Sequence, residues 1–370
     1  MSDPVAAIGL MARAQRQAVE FGITREEFER VKALRLEEAR AAVAMGRTAD
    51  SSREAEAISD GLASDPVFVS RADGLAMLEE DLKTVTLDDV NAAIRDRLKD
   101  RPKLVYRGPK RADVSEASMR AALDAAMGAS VTAYAAAPVK PWPYETFGAP
   151  GKVAERRQVA DLGVTYVKFE NGVRLTVKPM PIMGDQIFIQ ARLGLGRLGM
   201  PRDRIDASDM GQLVWSSGGL GQLTNTEQGR TLAGKRVGIS TTTEEEAFAL
   251  SSGATLGELL PLQLQLMAAR VSDPGFRTDE WNTWMASSAA AEAAAPYSAA
   301  RVLDFNLQPM LHAGDLRWTY NTTEMRKGWK PADAVAFIKP IIEKSPIEVI
   351  MVGGIDVERA ILEVGKTFGA

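Results

Sequence analysis

The chain repeats part of itself. Asp89-Val-Asn-Ala-Ala-Ile94 and Asp333-Ala-Val-Ala-Phe-Ile338 both open a helix, and the match continues in step: Leu98 with Ile342, Pro102 with Pro346, Val105 with Val349. An earlier pair, Gly22-Ile-Thr-Arg-Glu-Glu-Phe28 and Phe276-Arg-Thr-Asp-Glu-Trp281, leads into a long helix each time, one short gap away from the first block. Self-similarity of this kind predicts two copies of one structural unit. The second copy has an upstream part, about Val164 to Pro274, with no counterpart before Gly22. The expectation is therefore about one and a half copies, as if the chain began partway through one domain and ended just after the next. Chance likeness between amphipathic helices is the alternative.

Local patterns fill in the elements. The first hundred residues read as helices. Thr24-Arg-Glu-Glu27 and Thr86-Leu-Asp-Asp89 are capping-box starts, and Ser51-Ser-Arg-Glu54 is a third start, bounded by Gly61 and Pro66. Lys103 to Arg107 reads as a short strand closed by Gly108-Pro109. An Ala-rich helix follows at about Val114 to Met127. Pro138 to Gly151 then holds four prolines and two glycines, too many for a regular element, so the stretch reads as a linker or a belt across the surface.

Beyond residue 160 the period changes to two. Val164 to Glu170 and Val173 to Lys178 flank Asn171-Gly172, a pair that predicts a hairpin with a type I′ turn. Asp185 to Leu195 reads as a third strand. Val237 to Thr243 and Ala247 to Ser252 read as a strand pair around the acidic turn Glu244-Glu-Glu246. Helices are expected at Asp206–Trp215, Thr226–Ala233, and about 256–271, 279–294, 299–311 and 332–343. A strand at Ile347 to Val352 and a closing helix at Val357 to Thr367 complete the pattern. Hairpins mixed with helices predict an α+β fold with a mixed, largely antiparallel sheet packed by helices. The expected division is a helical partial copy at 1–109, a linker or belt at 110–160 and a complete copy at 161–370.

Composition removes whole classes of chemistry. There is no Cys and a single His, so disulfides, Cys-based zinc, haem and redox motifs, and any two-His metal site are excluded. The net charge of −4, without a long basic stripe, argues against nucleic acid. No apolar run reaches the length of a membrane span, and Met-Ser-Asp-Pro, without a basic or an apolar region, does not read as a signal peptide, which says nothing of a longer parent.

Several features have plain readings. Gly194-Leu-Gly-Arg-Leu-Gly199 matches a dinucleotide fingerprint formally, but Met200-Pro201 follows where a helix should open, so a turn is the simpler reading. His312, at an expected helix end, reads as a cap or a surface residue. Glu244 to Glu246 reads as a solvated turn. Trp281 and Trp284 mark one helix face and read as packing, with peptide contact as the sharper alternative.

Some segments carry a family likeness. Phe169-Glu-Asn-Gly-Val-Arg-Leu-Thr-Val-Lys-Pro179 resembles the opening hairpin of the pitrilysin/insulinase-type zinc metallopeptidases. Ser217-Gly-Gly-Leu-Gly221 resembles the Gly-rich segment after their first helix. Pro261 to Arg270 with Asp273-Pro-Gly-Phe276 is similar to their next long helix and turn, and Val349 to Asp356 to the strand and turn near each domain's end. The ordered set is closest to the long bacterial members built from four similar domains. It implies that this chain corresponds to the end of domain two, the interdomain belt and domain three.

That resemblance implies a pitrilysin/insulinase-like metallohydrolase fold and locates the family's chemistry. The catalytic domain carries H-x-x-E-H on its first helix: two His and a distant Glu bind zinc, and the motif Glu activates water. Counting back from Gly218-Gly219 places Asp209, Gln212 and Leu213 at the His, Glu and His positions, and the third ligand near Ala291–Glu292. No catalytic, metal or cofactor site is expected here, and zinc is expected in the parent's catalytic domain. The implied role is a structural wall of the peptide-degrading chamber, touching other domains of the parent or a sister subunit, with peptide substrate bound in the parent. Two alternatives stay open: a stand-alone inactive scaffold or partner subunit of the same fold, and an unrelated α+β binding protein. Relatives of this kind suggest the periplasm.

Overall fold

Capping chemistry sets the helices of the first 128 residues: α1 (Pro4–Phe21), α2 (Arg25–Ala44), α3 (Ser51–Ser64), α4 (Arg71–Thr84), α5 (Leu87–Leu98) and α6 (Glu116–Gly128). The computed structural model describes residues 3–44, 46, 51–64, 69–106, 113–135, 138–202 and 206–370. Asp3 caps α1 by accepting the Val5 and Ala6 N–H groups, with Pro4 at the first helical position. Thr24 and Glu27 exchange bonds at the start of α2, and Thr86 and Asp89 at the start of α5. α3 runs through Gly61, which the sequence reading took as its limit; Pro66 lies outside the described residues.

The chain divides into two compact units, Met1–Arg40 with Val69–Pro138, and Ala41–Phe68 with Val139–Ala370. In the first unit α1 packs on α6 through Ala12, Leu123 and Ala126, and it also lies against α5. Gln15 ties α1 to the carbonyls of Leu98 and Asp100, at 2.7 and 3.1 Å. The strand expected at Lys103 to Arg107 does not form. Residues 103–106 are irregular, and Val105 is 90% exposed. A strand is stabilised by its neighbours, and none of the described residues pairs with this one. Arg107, Gly108 and Pro109 lie outside the described residues.

The second unit is built on one sheet: β1 (Val153–Val159), β2 (Val164–Phe169), β3 (Arg174–Pro179), β4 (Gln186–Leu193), β5 (Ser240–Thr243), β6 (Phe248–Ser251), β7 (Thr255–Leu256) and β8 (Ile347–Gly353). The spatial order is β1-β2-β3-β8-β4-β6-β5, with β7 beside β4. Among the described residues, β3–β8 is the one parallel pair. The fold is therefore α+β with a mixed, largely antiparallel sheet, as the patterning predicted. The Asn171-Gly172 hairpin forms, but Asn171 keeps a negative φ and only Gly172 is left-handed, at 89°. Gly172 N–H donates to the Phe169 carbonyl at 2.9 Å, so the loop is a three-residue type rather than the two-residue I′ turn. β1 has no sequence precedent: Val153 to Val159 is an exposed edge strand in a stretch read as linker.

Helices α7 (Asp206–Ser217), α8 (Asn225–Thr231), α9 (Leu260–Ser272), α10 (Trp281–Ala294), α11 (Ala299–Leu311), α12 (Thr323–Arg326), α13 (Pro331–Lys344) and α14 (Val357–Gly365) follow in chain order. The core lies on one face of the sheet. Leu175, Val177, Ile187, Ile189, Val349 and Met351 pack there with Met210 and Val214 of α7, Leu264 and Met267 of α9, Ile338 of α13 and Val364 of α14. Gly211 lets α7 and α13 approach closely: a Cβ there would lie 3.0 Å from Ile338 Cβ and from Phe337. Among the described residues no helix is long and apolar enough to cross a membrane.

The proline-rich belt is fastened to this unit. Trp142 Nε1 donates to Gln265 at 3.0 Å. Tyr144 is buried with Leu220, Leu223 and Leu266; its hydroxyl donates to Asp273 at 2.7 Å and accepts the Gln222 N–H at 2.9 Å. Burial pushes the Tyr144 phenol up to about 12. Lys140 meets Glu227 at 2.7 Å.

Candidate functional site

α7 buries Met210 and Val214 in the core and lines a cavity of about 550 Å³ with Asp209, Gln212, Ser216 and the mostly buried Leu213. Trp284 and Ser288 of α10, Tyr320 and Arg326 form other parts of its wall. The helix ends where Ser217-Gly-Gly-Leu-Gly221 breaks it, as the glycines predicted. Two guanidinium groups satisfy the carbonyls there: Arg270 binds those of Trp215 and Gly219, both at 3.0 Å, and Arg277 those of Gly218 and Leu220, at 3.0 and 2.6 Å. Burial pulls Arg270 down to about 10.

Each position the resemblance assigned to the catalytic set is committed elsewhere. Gln212 Nε2 donates to the Thr241 carbonyl at 2.7 Å, and its Oε1 accepts the Thr243 hydroxyl at 2.6 Å, so both ends of the amide are held by β5. Leu213 is buried in the core. Asp209 is half-buried, accepts a bond from Asn321 Nδ2, and faces Arg197 at 3.8 Å. Burial pushes its carboxyl up from the ordinary value; Arg197, Asn321 and Arg326 oppose that. Glu292, near the end of α10, accepts both the hydroxyl and the backbone N–H of Thr323, at 2.5 and 2.6 Å. The Thr323 hydroxyl is the largest influence holding Glu292 below its ordinary value.

Arg326 links these pieces. Only 3% of the residue is exposed. It donates to the Asn321 carbonyl, whose own amide binds Asp209, and it meets Glu292 at 3.4 Å. Its guanidinium lies 5.5 Å from the Trp284 ring centre and 5.7 Å from that of Tyr320. One buried cation thus serves the carboxylates at the first-ligand and third-ligand positions. Zinc does not fit this set. Leu213 has no donor atom, the Gln212 amide is occupied at both ends, and a divalent ion would meet the positive charge of Arg326 between the two remaining carboxylates.

A second polar hollow, about 380 Å³, shares Asp209 and Tyr320 with the first and is also bordered by Arg197, Glu244, Glu245 and Asp304. The acidic turn is more than the solvated loop expected. The Glu244 and Glu245 carbonyls accept the Arg197 and Leu198 N–H groups, at 2.9 and 2.8 Å. This fastening accounts for Gly194-Leu-Gly-Arg-Leu-Gly199, which is a tight turn. His312 closes α11: Nδ1 lies 2.9 Å from the Gln308 carbonyl, and the ring stacks on Trp318 at 4.2 Å. Trp281 is buried in the core and Trp284 packs beside it while bordering the cavity.

Sequence reasoning missed Asn321, Thr323 and Arg326, the residues that occupy the site. They follow α11 in Asn321-Thr-Thr-Glu-Met-Arg326, whose capping pattern, Thr322 over α12, was readable. Nothing in that spacing connects it to Asp209, far earlier in the chain.

The fold has solved counterparts. The periplasmic protease PqqL from Escherichia coli superimposes with a TM-score of 0.53 at 16% identity, over 98% of this chain and 40% of that one. The ferredoxin protease FusC, solved as a point mutant in complex with Arabidopsis ferredoxin, gives 0.54 at 15% identity, over 99% of this chain and 41% of that one. The chain thus spans about two fifths of the length of each of these proteins. No family model and no curated protein sequence matches it. Hairpin, sheet order, helix layer and superposition together give this chain the fold of the pitrilysin/insulinase-type peptidases.

Proposed function

We propose that this chain is a non-catalytic segment of a zinc-dependent peptidase of the pitrilysin/insulinase type. In this reading it forms one wall of the chamber where peptides are cut. Its partners are the other domains of the same parent or a sister peptidase subunit, and zinc and hydrolysis belong to a catalytic domain elsewhere. Likeness in fold to a protein described as periplasmic supports the periplasm as its compartment.

One observation carries the reading. A cavity is kept at the place the resemblance assigns to catalysis, while its ligand and base positions, Asp209, Gln212, Leu213 and Glu292, serve an internal polar network or the core. A chamber wall needs that shape and not that chemistry. The direct test is metal content and peptidase activity of the purified chain. No stoichiometric zinc and no cleavage of a quenched-fluorescent peptide, with or without added zinc, is the expected result. One zinc per chain with chelator-sensitive cleavage overturns the reading. The gene is also expected to encode an H-x-x-E-H helix upstream in the same frame.

A further inference from the structure

The internal likeness in sequence extends to further helices. Leu10-Met11-Ala12 on α1 recurs as Leu266-Met267-Ala268 on α9, each on the helix that precedes the similar stretches at Gly22 and Phe276. α1 thus matches α9 as α5 matches α13. The stretch left without a match narrows to about Val164 to Leu256, which holds β2 to β7 with α7 and α8. Among the described residues of the first unit there is no strand at all.

Matching residues meet opposite surroundings. Met267, Ile338, Ile342 and Val349 belong to one buried cluster with Leu175, Val177, Ile187 and Ile189 of the sheet. The residues that match them are Met11, Ile94, Leu98 and Val105. Met11 is 69% exposed, Leu98 39% and Val105 90%, and Ile94 is only half-buried. Leu10 is exposed as well, where Leu266 is fully buried. Gln15 stands one turn after Met11 on the same face of α1, and its amide holds the Leu98 and Asp100 carbonyls. That brings the Met11 face to the end of α5, where residues 103–106 begin. Ala12 alone of its triplet is covered, by Leu123 and Ala126 of α6. The helices of this unit have therefore packed on one another and left open the apolar face that their equivalents give to a sheet.

We propose that this face is the seat of a β-sheet supplied by the polypeptide encoded immediately upstream of Met1. The sheet would be the equivalent of β2 to β7, laid on Leu10, Met11, Leu98 and Val105 as the observed sheet is laid on Met267, Ile342 and Val349. Lys103 to Tyr106 would enter it as the central strand, parallel to one neighbour and antiparallel to the other, as β8 runs between β3 and β4. Chain order argues for the upstream source: β2 to β7 precede α9, so their equivalents would precede α1. Size agrees, since the chain covers about two fifths of the length of PqqL and of FusC. The proposal rests on the reading of the chain as part of a longer parent, and not on the loss of zinc chemistry.

The chain has no Cys, so single cysteines report cover without background. M11C, V105C and K83C are compared in this chain and in the product of the same frame extended upstream by roughly 100 codons, the length of an equivalent of Val164 to Leu256. Lys83 is the control, because it is exposed and so is Lys327, which matches it. In this chain all three are expected to react with a maleimide at similar rates. In the extended protein M11C and V105C are expected to react at least about 100-fold more slowly, with K83C unchanged. Amide hydrogen exchange reads the same change without a substitution: residues 103–106 are expected to exchange freely in this chain and at least about 100-fold more slowly in the extended one. Rapid reaction of M11C and V105C in the extended protein, with unprotected amides at 103–106, overturns the proposal and leaves the parent reading standing. Absence of an open frame before Met1 overturns both. Protection that grows with the concentration of this chain alone, or that needs a separately encoded subunit, gives the face to a second copy or to a sister chain and overturns the upstream source.

Discussion

The two similar helix–proline–strand segments end differently. After Pro346, Ile347–Gly353 becomes the central strand β8, with β3 on one side and β4 on the other, and Val349 and Met351 are fully buried. After Pro102, residues 103–106 stay irregular, and Val105, the counterpart of Val349, is 90% exposed. Similar local preference gives opposite outcomes because a strand draws its stability from cross-strand pairs and a covered face. Helices behave otherwise. Thr24–Glu27 and Thr224–Glu227 form the same reciprocal cap in both units, since a cap is completed within one turn.

The sharpest break of the comparison is V349D against V105D. A carboxylate at Val349 would be buried without a partner, and loss of more than about 4 kcal/mol, enough to abolish cooperative unfolding, is expected. V105D is expected to stay within about 0.5 kcal/mol of the parent in urea denaturation. A large effect of V105D would mean that the segment after Pro102 is covered in solution.

Next in size is R326M. Removing the guanidinium takes the ion-pair partner from Glu292 and a stabilising positive charge from the half-buried Asp209, with an expected cost of about 3–5 kcal/mol near neutral pH. The pH dependence has a definite sign. Glu292 is held below its ordinary value of 4.5, so its contribution is present above that value and disappears as pH falls through the lower folded value. Asp209 is pushed the other way, and its protonation favours the folded form. Parent and R326M stabilities are therefore expected to converge on acidification; parallel curves would separate Arg326 from both carboxylates.

Y144F removes the hydroxyl shared by Asp273 and the Gln222 N–H and is expected to cost about 1–2 kcal/mol. No change would mean that the belt is not fastened there. The smallest effects are T24A and T224A, about 1 kcal/mol each. The cap at Thr224 also carries a pH response. Lys140 and Thr224 hold Glu227 at about 2, so stability from this cap is expected to fall as pH drops from about 4.5 toward 2, and E227Q is expected to flatten that fall.

What could be read from residues alone follows the same division. Capped helices, the Asn171-Gly172 hairpin and the mixed sheet are local patterns, and they formed with shifts at their ends. The helix expected from Leu256 starts at Leu260 because Thr255–Leu256 pairs with β4 first. β1 was hidden because Val153 to Val159 is a charged edge strand without alternation, and the loop type at Gly172 depends on a backbone angle. The positions Asp209, Gln212, Leu213 and Glu292 were reached through resemblance. Their occupants were not, because Asn321, Thr323 and Arg326 meet them only through tertiary folding.

The fastened belt has a mechanical consequence. Tension entering along the chain at Val139 reaches the Lys140–Glu227 pair, then Trp142 and Tyr144, before any sheet hydrogen bond. These anchors lie on α8, α9 and the residue that ends α9, and are met one after another along the chain. β1, an edge strand joined to the sheet by β2 alone, would otherwise be peeled one bond at a time. The clasp at Tyr144 therefore acts as a strain relief, and the weakest strand of the unit is shielded from pulling on the half that precedes it.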